Sequence, residues 1–118
     1  MYEIKVKTDF SAAHNLKGYE GKCENLHGHN WIVEAVFRYE GLDRAGMAVD
    51  FKIARSALED IVESLDHAYL NENKFFKITN PTSENIAKYI YDNMKKKIKN
   101  IYSVAVWENE RSCAIYSE

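Results

Sequence analysis

Proline is almost absent from this chain, with one residue in 118, which leaves nothing to build a proline-rich linker. Cysteine is nearly as scarce. The two present, Cys23 and Cys113, cannot form a disulfide scaffold, and a reducing cytoplasm is the expected compartment. No apolar run approaches the roughly 20 residues needed to cross a bilayer, so no membrane partner is expected. An excess of basic charge is missing too. Sixteen Lys and Arg oppose eighteen Asp and Glu, for a net charge of −2. A protein that reads phosphates over a broad face is normally basic, and nucleic acid is not expected as a partner. The stretch from Met1 to Phe10 is charged and alternating, unlike a secretory signal. Apolar material is what the chain has in quantity. At 46% hydrophobic and 13% aromatic it has the composition of a globular protein and not of a disordered tail. Its length leaves no room for two independent cores, and a single domain over residues 1–118 is expected.

Tyr2, Ile4 and Val6 alternate with Glu3, Lys5 and Lys7, and Phe10 ends the pattern, as in a half-exposed strand. The periodicity disappears from Asn15 to Asn25, a loop carrying Gly18 and Gly21. It returns from His29 to Tyr39, with His29, Trp31, Val33, Ala35, Phe37 and Tyr39 on one face. Gly41 to Gly46 is a turn, and Met47 to Phe51 a possible short extended piece. Asp50 caps a helix whose apolar stripe is Ile53, Ala57, Leu58, Ile61, Val62 and Leu65. Thr82 caps a second helix, after Asn80-Pro81, with the stripe Ile86, Ala87, Ile90, Tyr91, Met94 and Ile98. Lys95, Lys96, Lys97 and Lys99 at its end read as a solvated, dipole-compensating terminus. Two last strands, Ile101 to Glu108 and Ser112 to Tyr116, flank the turn Asn109-Glu110-Arg111, and Cys113 is expected in the core. The pattern predicts an α+β fold: a four-stranded, mostly antiparallel sheet with both helices on one face. The other face then lacks a cover, and self-association is the simplest solution.

The chemistry lies with the histidines, of which there are four. His27-Gly28-His29 places two imidazoles on one side of a strand, because residues two apart point the same way. His14 follows the first strand. If the first two strands pair, three imidazoles converge, which is the ligand count of a catalytic zinc with an open position. Imidazole-only ligation suits zinc better than magnesium or calcium. The plainer reading of such a pair is two exposed or core histidines. Cys23 is either a fourth ligand that closes the site or a thiolate acid/base beside an open one, with Lys22 favouring thiolate. Asp66-His67 is a usable acid/base pair provided the helix ends there. Glu108 ends a strand, where a carboxylate can accept two hydrogen bonds from an amino-pyrimidinone edge.

Five motifs in order are Phe10-Ser11-Ala12-Ala13-His14, Cys23-x-x-x-His27-Gly28-His29, Leu65-Asp66-His67-Ala68-Tyr69-Leu70-Asn71, Asn80-Pro81-Thr82-Ser83-Glu84-Asn85, and Glu108. Together they resemble the 6-pyruvoyl-tetrahydropterin synthase family, from about Tyr2 to Tyr116. The three residues between Cys23 and His27 match its bacterial, carboxy-forming branch. The resemblance implies zinc on His14, His27 and His29, a catalytic Cys23, and a second catalytic pair in Asp66 and His67. It implies that Glu108 anchors the pterin ring, at times grouped with the catalytic relay, and that Thr82 and Ser83 line the pterin pocket. It also implies the tunnelling fold, with sheets joining into a barrel in a homo-oligomer, a hexamer, and active sites between subunits. The implied activity converts 7,8-dihydroneopterin triphosphate to 6-carboxytetrahydropterin, acetaldehyde and triphosphate, in queuosine and 7-deazapurine synthesis. A pyruvoyl-forming lyase of the same family and a non-catalytic zinc protein that binds pterins or purines are the alternatives.

Overall fold

A computed structural model of the chain describes residues 1–21 and 24–118. Cys23 and Lys22 lie outside the described residues. Strand β1, Tyr2–His14, and strand β2, His27–Tyr39, are both 13 residues long and pair antiparallel along their whole length. Helix α1, Phe51–Glu63, comes next, then a two-residue strand β3, Ala68–Tyr69. Helix α2, Ser83–Lys97, leads into β4, Ile101–Trp107, and β5, Cys113–Ser117. The sheet order is β3-β1-β2-β4-β5.

Each neighbouring pair among the four long strands is antiparallel, as expected for the α+β pattern. The difference is β3, a fifth strand that runs parallel to the end of β1, pairing Ala12 with Ala68 and Ala13 with Tyr69. The region Met47 to Phe51 forms no strand. Asp43 accepts hydrogen bonds from the Ala45 and Met47 amides in a turn, and Phe51 already begins α1.

Both helices cover one face of the sheet. Val6, Phe10, Trp31, Val33, Ala35, Phe37, Val104 and Val106 point into that core from the strands. The α2 stripe is buried from Ile86 to Met94, as its spacing predicts. The α1 stripe is buried at Leu58, Ile61, Val62 and Leu65, with Ala57 packed against the core, but Ile53 is 61% exposed and Ala54 is buried in its place. The caps are those expected, with Asp50 accepting from the Lys52 amide and Thr82 from the Asn85 amide. The opposite face carries Lys5, Lys7, Glu34, Trp107 and Ile115, the last 67% exposed. Cys113 is not a core residue. It pairs with Trp107 on the edge strand, half-buried on this open face. No helix among the described residues is long and apolar enough to cross a membrane.

Candidate functional site

The long β1–β2 ladder ends by setting His14 opposite His27, with His29 opposite Ala12. All three imidazoles therefore lie on the helix-covered face, at one end of the sheet. One ring nitrogen from each lies within 4.8 Å of the others. Trp31, fully buried, forms the floor beneath them: its ring meets His14 and His29 edge-on at centroid distances of 4.9 and 5.1 Å. Its indole N–H donates to the Ala12 carbonyl at 3.2 Å, which fixes the floor to β1.

The tautomers are set by the partners. The His14 Nδ1 lies 2.8 Å from the Pro81 carbonyl, and the His27 Nδ1 lies 2.7 Å from the Asn25 carbonyl. A carbonyl only accepts, so each Nδ1 carries the hydrogen and each Nε2 keeps its lone pair. Those two Nε2 atoms are 3.0 Å apart. That is close to the ~3.3 Å between two nitrogens on a tetrahedral zinc. The His29 Nε2 is buried without a hydrogen-bond partner among the described residues. Burial, foremost, holds His14 and His29 below the ordinary histidine value of 6.5. Both are then neutral near pH 7, the form that ligates metal.

Glu108 reaches the same place. Its carboxylate lies 3.5 Å from the His29 Nε2 and 3.9 Å from the His14 Nε2. Those are ion-pair distances only if the imidazoles are protonated, which their burial opposes. A carboxylate facing neutral nitrogen lone pairs is instead an arrangement that a cation stabilises. The donor set, the orphaned Nε2 and the adjacent carboxylate thus fit a metal ion such as zinc. Glu108 also borders a cleft of about 590 Å³ with Ser83, Glu84 and Cys113. The Thr82 hydroxyl oxygen is engaged as the α2 cap, and its O–H donates to no group among the described residues.

His67 does not join the imidazole cluster. Its side chain is 83% exposed and shares a cavity of about 510 Å³ with His29, Gly28 and Asn30. Asp66 lies beside it, with Oδ2 at 3.0 Å from the His67 Nδ1, while Asp66 Oδ1 accepts from the Ser11 amide at 2.9 Å. That backbone bond, foremost, holds the Asp66 carboxyl below its usual range, and the His67 contact adds to it. The structure therefore assembles Asp66-His67 as a pair because α1 does end before it, at Glu63. The expected site residue Cys23 lies outside the described residues. The carbonyls of Pro81 and Asn25 were not legible as site groups. Backbone oxygens carry no side-chain signature, so the motif Asn80-Pro81-Thr82 points to a helix start and to Thr82, not to the Pro81 carbonyl.

The fold and the cluster define a class: an α+β protein whose sheet carries, at one end, three imidazoles able to hold a metal ion beside an acidic cleft. The family description 6-pyruvoyl tetrahydropterin synthase matches residues 3–118, and the chain belongs to that family of enzymes. It is 34% identical over 122 residues to the 6-carboxy-5,6,7,8-tetrahydropterin synthase of Synechocystis sp., covering 98% of this chain and 93% of that protein. It is also 34% identical over 113 residues to the 6-pyruvoyl tetrahydrobiopterin synthase of Drosophila melanogaster, covering 90% of this chain and 67% of that one. The solved structure of 6-pyruvoyl tetrahydropterin synthase from Caenorhabditis elegans superposes with a TM-score of 0.91 at 28% identity, over 99% of this chain and 95% of that chain.

Proposed function

We propose that this protein is a zinc-dependent carbon–carbon lyase of the carboxy-forming branch. It would convert 7,8-dihydroneopterin triphosphate and water to 6-carboxy-5,6,7,8-tetrahydropterin, acetaldehyde and triphosphate, a step toward queuosine and other 7-deazapurines. The observation that carries the reading is the convergence of three imidazoles, two with assigned free Nε2 lone pairs and one with an orphaned Nε2, beside the Glu108 carboxylate. The choice of branch rests on the three-residue interval between Cys23 and His27 and on the nearly full-length match to the cyanobacterial relative.

His14, His27 and His29 hold the metal. When bound, zinc supplies Lewis acidity toward side-chain oxygens of the substrate. Glu108 accepts the ring N–H and the exocyclic amine, and Ser83 and the Thr82 hydroxyl line the pterin pocket. Asp66 keeps the proton on the His67 Nδ1, which leaves the His67 Nε2 to take and return a carbon-bound proton. Cys23 is the second acid/base. An exposed His67 at the rim of one chain suits a site completed between subunits of a homo-oligomer, with a hexamer as the assembly.

The test is product analysis with zinc-loaded protein and 7,8-dihydroneopterin triphosphate. Acetaldehyde and the 6-carboxy product in equal amounts are expected. A 6-pyruvoyl product without acetaldehyde would transfer the protein to the other branch. Tight pterin binding with no turnover would make it a binding protein.

A further inference from the structure

We propose that Asn80 is a positioning residue for the metal centre, acting through His14; the proposal rests on the metal-centre reading above. His14 is the last residue of β1, and among the described residues Asn15 to Lys17 pair with no strand of the sheet. Two asparagine side chains take that role. The Asn71 amide accepts from the Asn15 N–H at 3.0 Å and donates to the Asn15 carbonyl at 2.8 Å. The Asn80 amide does the same two residues on, accepting from the Lys17 N–H at 3.0 Å and donating to the Lys17 carbonyl at 2.8 Å. Each amide thus makes the pair of bonds that a strand would make.

Asn80 differs from Asn71 in its neighbour along the chain. The next residue, Pro81, gives its carbonyl to the His14 Nδ1. The Asn80 carbonyl itself accepts from the Thr82 amide and from the Asn85 side chain, both at 2.9 Å. Asn80 therefore ties the segment leaving the ligand to the segment that sets the ligand's tautomer. Without its side chain the two segments are free to separate. His14 then loses the partner that keeps hydrogen on Nδ1, and the other tautomer, with hydrogen on Nε2, cannot ligate through that atom. The two lost bonds lie where water can replace them, so the fold survives while the ligand loses its orientation.

Partners of this kind typically set metal affinity within a factor of about 10–100. Zinc affinity, measured by competition with a chromophoric chelator, should fall by about that factor in Asn80→Ala. Asn80→Asp keeps the acceptor for Lys17 N–H but not the donor, and should fall between. Asn93→Ala removes a side chain that, among the described residues, bonds only the Tyr89 carbonyl on α2 and should match the wild type. The visible spectrum of the cobalt-substituted protein should change in Asn80→Ala and not in Asn93→Ala. Wild-type zinc affinity and cobalt spectrum in folded Asn80→Ala would overturn the proposal. If that variant does not fold, wild-type values in Asn80→Asp overturn it equally. A wild-type protein that binds no zinc would overturn the metal-centre reading itself, and the proposal with it.

Discussion

His67 has a φ of 54°, in the left-handed region. That conformation costs a residue other than glycine about 1–2 kcal/mol. Its amide is held there by the Ser11 carbonyl at 2.6 Å, and its ring by Asp66. Strain retained at an exposed side chain suits a group kept for chemistry and not for packing. Asparagine tolerates the left-handed region and carries no imidazole. His67→Asn should therefore unfold at higher urea, by about 0.5–1 kcal/mol, while turnover falls by about 10²–10⁴-fold. Urea titration and steady-state assay of the same preparation check both halves, and a variant of unchanged activity would remove His67 from the mechanism. The contrast with His14 marks how far single residues were legible. His27-Gly28-His29 was readable because a strand has a period of two. The partners of those rings were not, because they are carbonyl oxygens of Asn25 and Pro81, which any residue there would supply.

At the level of elements, alternation and caps located the four long strands and both helices. They did less well in the first turn of α1. Ile53 and Ala54 both continue the helical spacing that leads to Ala57, Leu58 and Ile61, and only packing chooses between them. The chain chose the second, which leaves Phe51 and Ile53 exposed. Leu58→Ala should then cost about 2–5 kcal/mol, as for a fully buried leucine, whereas Ile53→Ala should stay within about 0.5 kcal/mol. Thermal or urea unfolding of the two variants separates the buried position from the exposed one, and equal losses would contradict that placement. Strand β3 was not legible at all. Two residues cannot display a period, and Ala68–Tyr69 form a strand only because the end of β1 offers an unpaired edge.

The whole molecule is longer than its mass suggests. Its radius of gyration is 15.1 Å and its extents 53 × 24 × 22 Å. A compact chain of this length would have a radius near ~13.5 Å. Most of β1 has no partner on its outer edge, since β3 covers only Ala12 and Ala13, and β5 ends the sheet on the other side. One face carries Trp107 and Ile115 without a covering layer. Open edges and a bare, partly apolar face are what association removes. Light scattering at micromolar concentration should give a mass several times 13.7 kDa, and a stable monomer would contradict the assembly. The unbroken β1–β2 ladder is not equally secured at its two ends. Near the Tyr39 end it is held by Asn100, just before β4, which bonds the Arg38 backbone, but at the other end its last rung is His14 opposite His27. An ion held by those two side chains acts as a clasp on the end most prone to fray. Amide hydrogen exchange should therefore slow on adding zinc in a gradient along the ladder, steepest around Ala12 to His14 and His27 to His29, and nearly flat by Ile4 and Phe37.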